Sequence, residues 1–152
     1  MNWKSLFLSA DGRIGQKDFW IGYLILLVAG FVLGMIPVLG MLVGLALIYP
    51  SVCIFTKRLH DFGKTGWLQL APIAIFVVLG VIAAVVGGGA AALTGAGDEG
   101  LMAVMATMGL FLLVMAAVAL GFLLWVGLSK GDLATNQYGP PPVALTGTAA
   151  TV

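Results

Sequence analysis

The residues with the most chemical potential lie in one short stretch, Lys57-Arg58-Leu59-His60-Asp61-Phe62-Gly63-Lys64-Thr65-Gly66-Trp67. Gly63-Lys64-Thr65 looks like the end of a phosphate-binding loop. The earlier glycine of such a loop would fall at position 58, which is Arg58, and no strand precedes it. His60-Asp61 has the make-up of a catalytic pair, but adjacent residues on one helix point in different directions and form no obvious relay. No serine or cysteine nucleophile is tied to them by a motif, so no catalytic residue is assigned and the chain is expected not to be an enzyme. Anion contact is the sharper chemistry: Arg13, Lys57, Arg58 and His60 supply charge and donors that suit phosphate oxygens. Met102, Met105 and Met108 lie on neighbouring turns and thioethers bind soft metals. No His or Cys stripe accompanies them, so adaptable packing explains them better; no metal and no cofactor is expected. Cys53 is the only cysteine, which excludes an internal disulfide and reads as a small packing residue.

The elements that must position these residues follow from composition. Of 152 residues 61% are hydrophobic and 9% charged, against about 25% charged in an average soluble domain. No charge occurs in residues 19–56, 65–97 or 100–129. A soluble fold would leave large apolar patches in water, which excludes a soluble enzyme, a nucleic-acid binder and a disordered chain. As one helix the first run would reach about 57 Å at ~1.5 Å per residue, too long for one crossing of a core about 30 Å thick. The break is expected at Gly34-Met35-Ile36-Pro37-Val38-Leu39-Gly40, where proline ends a helix and glycines permit a reversal. Four helical spans are predicted: about Phe19–Met35, about Val38–Thr56, from about Trp67 to near Gly87-Gly88-Gly89, and about Leu101–Leu128. A small-residue linker is expected between the last two. Pairs of small residues four apart, such as Gly30 and Gly34 or Gly80 and Ala84, favour close helix contact and leave self-association open.

With four spans arranged as two hairpins, all seven Lys and Arg residues fall on one side, and Asp98 and Glu99 on the other. Cytoplasmic loops retain Lys and Arg, so both termini are expected in the cytoplasm. Leu6-Phe7-Leu8 is too short for a signal-peptide core. Trp3, Leu6, Phe7 and Ala10 share one helical face, which predicts a short N-terminal interfacial helix. The spans carry almost no ionisable group, which argues against a self-contained proton-coupled pump.

Three segments together carry a family resemblance. Arg58-Leu59-His60-Asp61-x-Gly63-x-x-Gly66-Trp67 is the first. Gly12-Arg13-Ile14-Gly15-Gln16-Lys17-Asp18-Phe19-Trp20 precedes the first span, and Asn136-Gln137-Tyr138-Gly139-Pro140-Pro141-Pro142 follows the last. The chain resembles the domain-of-unknown-function 805 family of small bacterial inner-membrane proteins over about residues 5–142. It departs from that pattern at Lys57, where the family more often has arginine, and at Gly15-Gln16 and Pro141. Lysine lacks arginine's planar fork. The resemblance implies a multi-span membrane domain and brings no activity.

Topology predicts that the three segments meet in one cytoplasmic cap. Arg13 and Arg58 are expected to pair with Asp18, Asp61 or Asp132. Asn136 and Tyr138 tie the C-terminal segment to the loop, with Trp20, Gly63, Gly66, Trp67 and Gly139 as structural parts. The expected organisation is an all-α membrane domain over residues 1–142 and a disordered tail over 143–152. The functional expectation is a non-enzymatic envelope accessory or scaffold of the bacterial inner membrane whose basic cap binds anionic phospholipid. The alternative is an oligomeric small-solute transporter or channel subunit with Tyr49, Ser51, Gln69, Thr94 and Thr107 as polar candidates. Membrane lipids are the expected partner, and nucleic acid is not.

Overall fold

The computed structural model describes residues 3–36, 38–94 and 97–142. Five α-helices form: α1 (Trp3–Leu8), α2 (Gln16–Gly34), α3 (Leu39–Asp61), α4 (Leu70–Thr94) and α5 (Asp98–Leu128), with a 3-10 turn over Gly66–Gln69 before α4. No strand forms among the described residues. Helices α2 to α5 are each long and apolar enough to cross a membrane, and on that ground the chain is a multi-pass membrane protein. Their large apolar side chains face outward; Phe31 is 71% exposed and Val85 69%. Lipid, not a protein core, is the solvent these faces suit.

Two boundaries differ from the sequence reading. Helix α3 continues past Thr56 to Asp61, so Lys57, Arg58, His60 and Asp61 sit on its last turns and not in a loop. Ile54, Arg58 and Asp61 follow the same helical face, so the periodicity survives the change from apolar to charged residues. Helix α4 runs through Gly87-Gly88-Gly89 to Thr94 with no break there. Gly87 instead gives close approach: a Cβ on it would stand 3.5 Å from Thr107. The expected tail over 143–152 lies outside the described residues, as does Pro37.

The chain divides into two units. The first holds residues up to Leu68 and from Val126 onward; the second is Gln69–Trp125. In the first, α2 and α3 pack on each other through a tight reversal. The left-handed residue there is Val38 (φ 66°), not a glycine as expected. Gly40 contributes closeness instead, since a Cβ on it would lie 2.6 Å from the Gly34 carbonyl oxygen. The short N-terminal helix α1 forms, with Leu6 buried and turned onto Gly22 of α2, which Ile54 of α3 also approaches. Lys57 Nζ donates to the Ser5 carbonyl, and Tyr49 Oη donates to the Leu8 carbonyl at 3.1 Å. In the second unit, α4 and α5 approach at Gly80 with Phe111 and at Gly87 with Thr107.

The end of α5 belongs to the first unit, where Gly127 admits the Trp20 indole. A Cβ at Gly127 would come 2.5 Å from Trp20 and 3.1 Å from Phe19. Overpacking of this kind costs about 1–3 kcal/mol. Gly127→Ala should therefore lower the thermal midpoint in detergent. Gly121→Ala, with nothing within 4 Å of its Cβ, should leave it unchanged or raise it.

Candidate functional site

The polar centre of the first unit is the Asp61 carboxylate, which is held from two sides. Arg58 Nη1 donates to Oδ2, and Arg13 donates to Oδ1 through Nε at 3.2 Å and Nη2 at 3.1 Å. The side chains of all three residues are almost wholly buried. These are the two ion pairs formed among the described residues, and both use Asp61.

Each arginine reaches further. Arg58 Nε donates to the Val126 carbonyl at 3.1 Å, Nη2 to the Ser129 carbonyl, and Nη1 also to the Ile14 carbonyl at 3.4 Å. It thus neutralises carbonyls at the end of α5 while sitting in the last turn of α3, where a cation also complements the helix dipole. Its guanidinium lies 5.8 Å from the Phe62 ring centroid. Arg13 gathers the chain beyond α5. Its Nη2 donates to the carbonyls of Asp61 (3.0 Å) and Asp132, and its Nη1 to those of Ala134 (2.9 Å) and Gly139 (3.2 Å). Every nitrogen of both guanidiniums is engaged by protein oxygens.

Local backbone features make this geometry accessible. Helix α3 ends in a Schellman motif: Lys64 N–H donates to Leu59 O at 2.9 Å and Gly63 N–H to His60 O at 3.1 Å. Gly63 supplies the left-handed residue at φ 72°. Gly66 faces Thr56 so closely that a Cβ would fall 2.6 Å from its methyl, and Gly131 lies directly against the Asp61 carboxylate. Trp67, next to Gly66, is 77% exposed.

The C-terminal turn is fastened to the end of α3. Asn136 Nδ2 donates to the His60 carbonyl at 2.9 Å and to Asp132 Oδ2 at 2.8 Å, and its Oδ1 accepts from Tyr138 N–H at 2.9 Å. Asn136 and Gly139 exchange backbone bonds, with Gly139 at φ 120°. The Tyr138 ring lies flat on His60, with centroids 3.6 Å apart and planes 4° apart. His60 Nδ1 stands 3.2 Å from the Gly12 carbonyl. A carbonyl only accepts, so Nδ1 carries the proton in this bond.

All three segments singled out in the sequence therefore converge within the first unit. The four anion-contact candidates do not converge on one another. Arg13 and Arg58 meet at Asp61, His60 turns to Gly12 and Tyr138, and Lys57 turns away to Ser5 on α1. The donors of Arg13 and Arg58 already hold protein acceptors. Asp18 stands in the first turn of α2 and forms no ion pair among the described residues. Asp132 offers Arg13 its carbonyl and Asn136 its carboxylate. Trp20 packs edge-on against Phe19 and Tyr23. Of the polar-pathway candidates, Tyr49 binds Leu8 as described, while Ser51 and Thr107 donate to carbonyls four residues back on their own helices. Sequence reasoning missed Gln16, whose Nε2 caps α5 through the Leu128 (2.9 Å) and Ser129 (3.1 Å) carbonyls. Gln16 at the start of a helix gives no sign of a distant partner. Gly131, just after the last apolar run, was a readable signal of a close approach.

A family profile described as "Protein of unknown function (DUF805)" matches residues 7–140. The chain belongs to this family. No curated protein and no solved structure matches it. The DUF805 match opens in α1 and closes one residue after Gly139, so it covers the segments that the Arg13–Asp61–Arg58 cluster draws together.

Breaking a buried ion pair by removing one partner costs about 3–5 kcal/mol. Asp61→Asn should accordingly lower the thermal midpoint more than any single lysine substitution, and should open the segment after Ser129 to protease. For the ring stack, a double-mutant cycle with His60→Ala and Tyr138→Ala should give a coupling of about 0.5–1.5 kcal/mol by thermal or denaturant unfolding in detergent.

Proposed function

We propose that this DUF805 protein is a non-catalytic accessory or scaffold protein of the bacterial inner membrane. In this reading its spans form two hairpins, both termini are cytoplasmic, and the cap touches anionic phospholipid. The carrying observation is where the polar capacity goes. Asp61, the one carboxylate beside a histidine, has both oxygens held by buried guanidiniums, and His60 is stacked and bonded to a backbone carbonyl. Groups engaged in this way hold the chain in place. They bind α2, α3, the end of α5 and the following turn into one cap. A cap of this kind fixes helix ends on one side of a bilayer and presents a defined surface there. The basic residues supply the orientation: all seven lie in residues 4–64 or at Lys130, whereas Asp98 and Glu99 open α5.

Orientation is the test. In a Cys53→Ser background, single cysteines at Lys64, Lys130 and Glu99 are labelled with a membrane-impermeant maleimide. Lys64→Cys and Lys130→Cys should react in inverted vesicles only, and Glu99→Cys in spheroplasts only. Labelling of positions 64 and 130 from opposite sides would remove the proposal. Flux of ions or small solutes through reconstituted vesicles would favour the transporter reading over the scaffold.

A further inference from the structure

The two arginines that look most suited to phosphate are turned inward, and four lysines are left free. Lys4, Lys17, Lys64 and Lys130 are all exposed, and among the described residues none forms an ion pair. Three of them adjoin in sequence residues that pack at the helix ends around the buried cluster, and the fourth lies on α1. Lys17 follows Gln16, which caps α5. Lys64 follows Gly63, whose Cβ would lie 3.1 Å from Asp132 Oδ2. Lys130 lies between Ser129, held by Arg58, and Gly131, which abuts Asp61. Lys4 rides on α1, which Lys57 and Tyr49 hold to α3. Two indoles share this unit and are largely uncovered, Trp3 at 51% and Trp67 at 77%. The nearby carboxylates do not offset the lysines pairwise. Asp11 interacts with Ser9, Asp18 stands at the start of α2, and Asp132 accepts from Asn136.

We infer that Lys4, Lys17, Lys64 and Lys130, with the exposed indoles Trp3 beside Lys4 and Trp67 three residues after Lys64, form a surface that holds anionic phospholipid headgroups, while Arg13 and Arg58 take no part in lipid contact. Lysine is a mobile point charge, suited to a fluid layer of phosphates and needing no bidentate geometry. Tryptophan rings settle at headgroup level, so the pairing of exposed indole with exposed ammonium selects a bilayer surface over a soluble phosphate. Each lysine near an anionic leaflet corresponds to about a fivefold preference. The inference rests on the proposed reading that these helix ends share one membrane face.

The test is native mass spectrometry of the full chain, released from vesicles of equal phosphatidylglycerol and phosphatidylcholine, counting each retained lipid. The wild type should retain phosphatidylglycerol in several-fold excess. The excess should vanish in Lys4→Gln, Lys17→Gln, Lys64→Gln, Lys130→Gln together, persist when the same four become arginine, and fall when the vesicles are equilibrated at roughly 0.5 M salt, where charges are strongly screened. The glutamine substitutions touch exposed side chains only, so the unfolding midpoint should match wild type. An undiminished excess in the folded glutamine variant, or no excess in the wild type, overturns the inference. Labelling of positions 64 and 130 from opposite sides overturns the orientation reading as well. Labelling from one side together with an undiminished excess overturns the lysine surface alone.

Discussion

A carboxylate removed from water must be met by cations and donors, and at Asp61 that requirement organises the first unit of the fold. One oxygen takes Arg58 from the preceding turn of its own helix, and the other takes Arg13 from 48 residues upstream. Neither arginine could be buried without Asp61, since an unpaired buried guanidinium is strongly disfavoured. Together the three residues convert local sequence into tertiary arrangement. Arg58 extends from α3 to the last carbonyls of α5, and Arg13 extends from the entry of α2 to the turn at Asn136. Such a cluster adds little net stability compared with a well-packed apolar alternative. Its value lies in specification: lipid-facing helices have no hydrophobic drive toward one another, and a mutually satisfied set of charges admits few competing arrangements.

Much of this was legible in the residues. Three uncharged runs, the first too long for one crossing and broken at a glycine-proline stretch, announced four spans, because a helix in lipid must satisfy its backbone internally and needs a certain length. The meeting of the three charged segments followed from placing them at the ends of those spans. The partner choice was not legible. Asp18, Asp61 and Asp132 were equal candidates for the arginines, and only the helical phase of α3 places Asp61 beneath Arg58. That phase was lost to the reading when α3 was ended at Thr56, where the apolar run stops. Charged residues on the last turn of a membrane helix look like loop residues to any hydropathy count. The same count ended α4 at three glycines, although a helix contact at Thr107 rewards a missing side chain there.

Glycine performs three separate tasks along the chain, and composition alone does not separate them. At Gly63 and Gly139 the backbone has positive φ, which glycine adopts without strain. At Gly66, Gly127 and Gly131 the dihedrals are ordinary, but a neighbour occupies the space of a Cβ. At Gly121 and Gly109 the space is open, and glycine there reflects its general frequency in membrane helices. The reversal after α2 makes the distinction concrete. The glycines flanking it were expected to bend the chain, yet Val38 bends and Gly40 yields room.

The cap also separates residues that hold a structure from residues that remain available to act. A group can bind or react only with hydrogen-bonding capacity it has not already used. Asp61 receives three N–H bonds from two arginines, and Arg13 distributes its guanidinium over one carboxylate oxygen and four carbonyls. The arginines and the aspartate of the motifs are thus satisfied within the protein. Arginine suits this role because its fork reaches several acceptors at once while keeping its charge. Lys57, one residue from Arg58, reaches a single carbonyl on α1. The exposed lysines at the helix ends, Lys4, Lys17, Lys64 and Lys130, form no ion pair among the described residues.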